Sequence, residues 1–347
     1  MHRTPTRIAA CTLLLATTLS SQAAGDVAVT ITPERAALGK RDEVLVTVTL
    51  TNTGSAPERL LKWRTPFVAP EAALFDITRD GQPVRYLGRK VKRAAPVEAD
   101  YIQLAPGESR SARVELSSTY DMAVTGAYSV RYRVPALASS AKADGARDGG
   151  PVRSNVAAIW IEGRMPRGAA SPALAAPADK GLSYAQCSNA QQDTIASAMT
   201  AGTAMAAGGL AYLTSGKEQA QRYINWFGAL DAARQGVVTK NFTAIKDAFE
   251  TKPVKVNCGC DEDFFAYVYP AQPYTIYVCK AFWTAAMTGT DSMGGTLLHE
   301  LSHFDIVAGT DDHVYGQAGA AEMARTAPQR AINNADSHEY FGENSPP

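Results

Sequence analysis

Three residues near the end of the chain have the types and spacing of a metal-dependent hydrolytic site. His299 and His303 are four residues apart, so on a helix both imidazoles project from one face, and Glu300 lies between them. This is the H-E-x-x-H arrangement, in which the histidines hold a zinc ion and the glutamate acts on its water. The alternative is a surface helix with two ordinary histidines, but the chain has only 5 histidines, so abundance does not explain the spacing.

The element that must position these residues is a helix. Asp291 or Ser292 can cap its start, and Gly309 is expected to end it. Its apolar residues are predicted to be Leu297, Leu298, Leu301 and Ile306. A catalytic zinc site also needs a third protein ligand and an open position for water, and the following segment, 309–316, offers carboxylates.

The two segments together carry a family resemblance. His-Glu-Leu-Ser-His (299–303) followed by Gly-Thr-x-Asp-x-x-Tyr-Gly (309–316) resembles the motif of the aspzincins, the deuterolysin-type zinc endopeptidases. The resemblance implies that Asp312 is the third ligand of a single Zn²⁺ and that Tyr315 assists catalysis. It covers the chain from about Gly181 onward and is nearest to the peptidyl-Lys metalloendopeptidase branch. The segments similar to that branch are Cys187, Asn225–Gly228, Cys258–Cys260, Phe265–Pro270, Ala281–Trp283, Gly289–Asp291 and Asn334–Phe341.

The lysine-directed branch places acidic side chains in the pocket for the residue after the cut. The matching region here contains Asp336 and Glu339, so the resemblance implies that these two residues bind substrate. Two carboxylates in a partly dry pocket would favour a lysine ammonium. The alternative is an acidic surface turn, with the broader specificity of a deuterolysin-like enzyme.

The chemistry expected from these residues is peptide-bond hydrolysis. Glu300 would accept the proton of the attacking water and return it to the leaving amine. A turn could aim the Tyr315 hydroxyl at the developing oxyanion, although a packed aromatic is the alternative for this residue. Asp311 and His313 flank the ligand, and we expect both to support it or to face solvent. An exported binding protein with an inactive protease fold is the competing function.

Length and composition predict a two-domain exported protein. The chain has 347 residues, and its first 24 read as a secretory signal, with Arg3 and Arg7 before an apolar stretch. No other apolar run approaches the roughly 20 residues of a membrane span. The basic residues form no recognisable nucleic-acid-binding motif. Residues 25–180 carry a net charge of +5 and residues 181–347 one of −7, which could attract the two halves.

Cysteine usage agrees with secretion. Removal of the signal leaves Cys187, Cys258, Cys260 and Cys279, an even number suited to an oxidising compartment. Four cysteines allow three pairings, and a ring between Cys258 and Cys260 would be strained, which leaves two. The family resemblance selects Cys187–Cys258 and Cys260–Cys279.

The predicted fold class is an all-β sandwich pro-domain followed by an α+β zincin-like catalytic domain. Residues 25–162 alternate apolar and polar residues in short runs separated by turn residues, which favours a β-sandwich. The expected strands are Val27–Thr32, Glu43–Asn52, Leu74–Thr78, Val84–Leu87, Ser111–Leu116, Tyr128–Val134 and Val156–Ile161. A binding module is the alternative for this domain. Ala136–Gly150 is expected to form a loop within it, and residues 163–180 read as an exposed linker with the activation cleavage.

Residues 181–347 are predicted to form the metallopeptidase domain. Helices are expected over 188–213, with a bend or break near its glycines, and over 218–226, 234–249 and 318–331. Phe264–Tyr269 and Tyr274–Cys279 are predicted to be two strands. One of them could be the sheet edge on which an extended substrate lies, or the pair could be a core hairpin.

The pro-domain is expected to inhibit the enzyme within the same chain. Lys180 is the only lysine of the linker, so an enzyme that cuts before lysine would cleave between Asp179 and Lys180. Gly88–Arg93 is the densest basic run of the first domain, and it could present Lys90 or Lys92 to the two acidic pocket residues. A solvated hairpin tip is the alternative for this run.

Overall fold

The computed structural model of the protein describes residues 27–39, 41–68, 72–134, 152–163, 181–215 and 221–345. The predicted signal segment, the Ala136–Gly150 loop and Lys180 lie outside these described residues. Within them the first region is rich in strands and the second combines helices with a sheet. Among the helices described, none is both long and apolar enough to cross a bilayer.

The first region is built from short, mostly antiparallel strands. They are β1 Val27–Pro33, β2 Ala37–Leu38, β3 Leu45–Asn52, β4 Glu58–Leu61, β5 Phe75–Arg79, β6 Gln82–Pro83, β7 Lys90–Lys92, β8 Tyr101–Leu104, β9 Ser109–Glu115, β10 Gly126–Val134, β11 Val152–Arg153 and β12 Ala157–Ile161. One sheet has the order β1-β3-β9, a second has the order β2-β12-β10-β5-β6 with β11 on β10, and β4 pairs with β8. A single apolar cluster joins residues of the first two sheets, among them Val48 of β3 and Tyr132 of β10.

The alternating pattern of the sequence accounts for most of these strands. In β3 every second residue is buried, as the alternation of valine and threonine predicts. The predicted strand Val84–Leu87 is wrong: the chain turns at Asp80 and Gly81 after β5, and Tyr86 makes only an isolated bridge to Tyr120. The β-sandwich remains our proposed architecture for this region.

The second region surrounds a buried helix with a five-stranded sheet and six other helices among its described residues. Its strands are β13 Ser183–Ala185, β14 Lys255–Asn257, β15 Ala266–Val268 and β16 Thr275–Val278. Its helices are α1 Asn189–Leu213, α2 Gln221–Phe227, α3 Ala232–Thr251, α4 Met293–His303, α5 Gln317–Thr326, α6 Pro328–Ala331 and α7 Ala335–Glu343. The sheet order is β13-β14-β16-β15-β7, so the strand at one of its edges, β7, comes from the first region.

Helix α1 is continuous, so the predicted break near its glycines is wrong. A Cβ at Gly202 would lie 2.6 Å from the Phe249 ring, and a Cβ at Gly209 would lie 2.5 Å from the Phe242 ring. These glycines therefore permit close packing of α1 on its neighbours, and this packing outweighs their low helix propensity. Ser188 caps the helix by accepting a hydrogen bond from the Gln191 amide.

Two helix ends differ from expectation. Helix α4 ends at His303 because Phe304 is extended, so Gly309 does not end it, and Ile306 lies beyond it and is exposed. The predicted helix 318–331 is divided into α5 and α6, because Pro328 cannot continue an α-helical hydrogen-bond ladder and starts a new helix instead.

Candidate active site

Helix α4 holds the H-E-x-x-H residues inside the protein. Its N-cap is Ser292, whose side chain accepts a hydrogen bond from the Gly295 amide at 3.0 Å. All eleven of its residues are buried, including His299, Glu300 and His303, whose exposed fraction is 0%. The helix is thus enclosed on every side, whereas an isolated surface helix would bury one face only.

The two imidazoles each use one ring nitrogen to contact the protein. His303 Nδ1 donates to the Thr310 carbonyl at 2.9 Å. His299 Nδ1 lies 3.0 Å from Asp336 Oδ1 and 3.2 Å from Glu339 Oε2. Because these partners are acceptors, both Nδ1 atoms carry protons, and the two Nε2 atoms face each other at 3.1 Å with their lone pairs free.

The third member of the predicted ligand set lies against both Nε2 atoms. Asp312 Oδ1 is 3.2 Å from His299 Nε2 and 3.3 Å from His303 Nε2. Ligands about 2.0–2.1 Å from a tetrahedral zinc ion are about 3.3 Å from one another. Among the described residues, no hydrogen-bond donor reaches this buried oxygen. Two unprotonated nitrogens and a buried carboxylate oxygen in a triangle of this size fit a zinc ion.

Backbone hydrogen bonds bring Asp312 back to the helix. The Thr310 amide donates to the Ser302 carbonyl at 3.1 Å, and Gly309 before it has a φ of 60° that favours glycine. On the other side of Asp312, Asn334 Oδ1 accepts hydrogen bonds from the amides of His313 at 3.0 Å and Val314 at 3.2 Å. Asp312 therefore lies on a short segment that is held at both ends.

Glu300 presents an unpartnered carboxylate. Among the described residues, no donor contacts either of its two buried oxygens. Burial raises the pKa of Glu300 to about 8. A carboxyl group with a pKa near neutrality and a free oxygen is suited to exchange a proton with a water molecule.

A lysine of the first region fills the predicted acidic pocket. Lys92 is fully buried, and its Nζ lies 2.6 Å from Glu339 Oε2 and 3.8 Å from Asp336 Oδ1. It also lies 3.2 Å from Asp291 Oδ1, a carboxylate that our sequence reasoning did not assign to the pocket. Burial opposes the charge on Lys92, but the three carboxylates raise its pKa well above the usual value. The Gly289–Asp291 match to the peptidyl-Lys branch was the available signal for this third acid.

Asp336 connects the pocket to the ligand set. Its Oδ1 faces His299 Nδ1, and its Oδ2 accepts hydrogen bonds from the Gly316 amide at 2.7 Å and the Tyr340 hydroxyl at 3.3 Å. One carboxylate therefore orients a histidine and lines the pocket around Lys92. The sequence suggested only that Asp336 lines the pocket.

The chain beside the pocket is extended and pairs with a sheet edge. Strand β7 is antiparallel to β15, with Lys92 opposite Ala266 and Lys90 opposite Val268. The carbonyl oxygen of Val91, the residue before Lys92, accepts a hydrogen bond from the Tyr315 hydroxyl at 2.7 Å. Burial raises the pKa of Tyr315 well above its usual value, so the hydroxyl stays protonated.

Of the residues that flank Asp312, one binds the same strand. Asp311 Oδ1 lies 2.7 Å from Lys90 Nζ, while the His313 carbonyl accepts a hydrogen bond from Arg64 at 2.5 Å. Both contacts come from the first region. Asp311 and His313 therefore do more than flank the ligand, because both bind residues of the strand-rich region.

Both expected disulfides are present. Cys187 is bonded to Cys258, and Cys260 is bonded to Cys279. The second bridge packs against Val91 together with Phe264. The disulfide framework thus lies directly beside the strand that occupies the site.

Comparisons with known proteins identify the family of this chain. The aspzincin family model, described as lysine-specific metallo-endopeptidase, matches residues 212–343. An extracellular protease of Aeromonas hydrophila is 48% identical over 312 residues, which are 89% of this chain and 90% of the relative. A peptidyl-Lys metalloendopeptidase of Armillaria mellea is 35% identical over 314 residues, 87% of each chain. The solved zinc peptidase of Grifola frondosa is 42% identical and covers 46% of this chain and 97% of its own, with a TM-score of 0.44. Since relatives of this identity extend along most of the sequence, the chain belongs to the aspzincin family of zinc metallo-endopeptidases.

Proposed function

We propose that this chain is the precursor of a secreted endopeptidase that cuts on the amino side of lysine and is inhibited by its own first region. The observation that carries the proposal is the placement of one peptide bond. Val91 offers its carbonyl to Tyr315 while Lys92, the next residue, fills the three-carboxylate pocket. A substrate with lysine after the cut would occupy the same two positions.

The reaction follows from the residues around that bond. When bound by His299, His303 and Asp312, zinc supplies a Lewis acid that polarises a carbonyl and lowers the pKa of water. Glu300 accepts the proton of the attacking water and transfers it to the departing amine. Tyr315 donates a hydrogen bond to the oxygen of the scissile carbonyl, where negative charge develops.

Specificity would come from the acidic pocket. Three carboxylates face the single ammonium of the buried Lys92: those of Asp336 and Glu339, which are buried, and that of Asp291, which is partly exposed. An apolar side chain there would leave buried charges uncompensated, which disfavours its binding. The peptidyl-Lys name of several relatives supports the same preference. A deuterolysin-like enzyme of broader specificity is the other candidate, supported by neutral protease 2 homologues of lower identity.

Inhibition would result from strand addition. Strand β7 extends the sheet beyond β15, and the Phe265 amide donates to the Lys92 carbonyl at 3.2 Å. Trp63 also covers Tyr315 in a T-shaped contact, with the ring centroids 6.0 Å apart. While these contacts persist, no other peptide can enter the pocket.

We retain the remaining boundaries as part of the proposal. Residues 1–24 would be removed on export, 25–162 would form the pro-domain, and 163–180 the linker cut before Lys180. The metallopeptidase domain would then be 181–347, with proteins and peptides as substrates. The extracellular protease name of the Aeromonas hydrophila relative supports export.

Peptide mapping tests the proposal directly. Wild-type protein should cut a denatured protein mixture almost only before lysine, whereas Glu300→Ala should cut nothing and remain full length. Cleavage before bulky apolar residues would favour the deuterolysin-like candidate. Activity of the Glu300→Ala protein would exclude the assigned proton carrier. A wild type that binds zinc but stays inactive after its linker has been cut would favour the exported binding protein.

A further inference from the structure

The strand in the site contacts acidic residues outside the lysine pocket. Strand β7 is extended, so alternate side chains point to opposite sides. Lys90 and Lys92 share one side, and Arg89 and Val91 share the other. If the bond before Lys92 marks the position of the cut, Lys90 is the second residue before the cut and Arg89 the third.

The second residue before the cut has a defined acidic partner. Lys90 Nζ lies 2.7 Å from Asp311 Oδ1 and donates to the Thr310 carbonyl at 2.6 Å. Its side chain is only 14% exposed. A cation that is mostly removed from water and satisfied by a carboxylate and a carbonyl is in a built contact, unlike a lysine at the surface.

The third residue before the cut is held from the opposite side. Arg89 contacts Glu262 with two nitrogen–oxygen pairs, at 2.5 and 3.1 Å, in the bidentate geometry that suits a guanidinium. The Arg89 guanidinium also lies 5.1 Å from the centre of the Tyr267 ring. Glu262 lies in the segment before β15, the strand with which β7 pairs.

We propose that Asp311 and Glu262 are specificity-determining residues, which select cations at the second and third positions before the cut. The enzyme then prefers to cut before those lysines that lie within basic runs of a protein. The proposal rests on the proposed function, because it takes the register of β7 as the register of a substrate. It extends that function, because the lysine pocket alone would treat all residues before the cut alike.

Synthetic peptides give the test. The reference peptide has the sequence of residues 88–93 between neutral flanks. In a second peptide Gln replaces the lysine that corresponds to Lys90, and in a third Gln replaces the arginine that corresponds to Arg89. Enzyme matured from the full-length protein digests each, and mass spectrometry follows only the Val–Lys bond. Since partly exposed ion pairs are worth up to about 1 kcal/mol, kcat/KM should fall about fivefold for the first replacement and about threefold for the second.

Enzyme variants assign each preference to its carboxylate. Asp311→Asn should remove the preference at the second position and keep that at the third, and Glu262→Gln should do the reverse. Comparing peptides within one variant cancels any effect of Asp311→Asn on the neighbouring ligand Asp312. Asp263→Asn is the matched control, because Asp263 adjoins Glu262 but faces Lys280 at 3.4 Å, and both preferences should persist.

The outcomes separate the two proposals. Equal kcat/KM for all three peptides, with cleavage still before lysine, overturns the subsites and leaves the proposed function standing. Preferences that remain unchanged in Asp311→Asn and Glu262→Gln also overturn the assignment. Failure to cut any peptide before lysine overturns both. Preferences that weaken as salt is raised, and vanish only in the matching variant, support the subsites.

Discussion

Replacing Lys92 by Met should open the site of the precursor. The substitution keeps the length and apolar stem of the side chain but removes the ammonium that faces Asp336, Glu339 and Asp291. Breaking a buried ion pair by removing one partner costs about 3–5 kcal/mol. At 1.4 kcal/mol per tenfold, undocking of the strand should become roughly 100- to 4000-fold more favourable.

The binding of a labelled peptide reports that change. In the Glu300→Ala background no turnover occurs, so fluorescence anisotropy can follow a lysine-containing peptide at equilibrium. The precursor with Lys92 intact should bind the peptide weakly, because its own strand fills the site. The precursor that also carries Lys92→Met should bind the peptide at least about 100-fold more tightly. The gain ends where the affinity of the peptide for the fully open site is reached.

A surface lysine provides the control. Lys252 also forms an ion pair, with Asp247 at 2.8 Å, but its side chain is 37% exposed. Lys252→Met should leave both the thermal stability and the peptide binding of the precursor nearly unchanged, because solvent screens this ion pair. If Lys92→Met resembled Lys252→Met in both thermal unfolding and peptide binding, Lys92 would not hold the strand in the site, and the inhibition proposed here would be wrong.

Three further predictions can be tested by substitution. Asp312→Ala should lose zinc in metal analysis of the purified protein, whereas Glu300→Ala should keep it and lose turnover; stoichiometric zinc in the Asp312 variant would contradict the ligand set. Tyr315→Phe should lower kcat about 100- to 1000-fold with little change in KM, the usual effect of removing one oxyanion donor, and an unchanged kcat would leave Tyr315 a packing residue. Burial, together with the Glu339 charge, raises the pKa of Glu343 to about 8. Between about pH 4.3 and 8 the Glu343 carboxyl is therefore protonated in the folded protein and ionised in the unfolded chain. Stability should therefore fall as pH rises through that window, and Glu343→Gln should show a smaller loss of Tm between pH 5 and 8; parallel Tm curves for both proteins would refute this.

Local patterns were sufficient to predict much of the candidate site. The spacing of His299 and His303 places them on one helical face wherever the helix lies, because the helical period is a property of neighbouring residues. The strand β3 and the start of helix α1 follow from alternation and capping in the same way. The ends of elements were less predictable: α1 runs through its glycines because Phe249 and Phe242 pack against them, and those contacts are remote in sequence.

The acidic pocket and its occupant depended on tertiary structure. The basic run 88–93 made both Lys90 and Lys92 candidates, and the two share one side of a strand, so periodicity could not choose between them. The register of β7 on β15 decides the matter: it places Lys92 in the pocket and Lys90 against Asp311. Because α4 and α7 pack side by side, Asp291 joins the pocket, and Asp336 both lines the pocket and orients His299. The sequence alone thus determined which residues can bind a metal and move a proton, since those follow from residue type and local spacing. Which lysine enters the site, and which carboxylates meet it, was decided only by the tertiary structure, because register and packing join segments more than 150 residues apart.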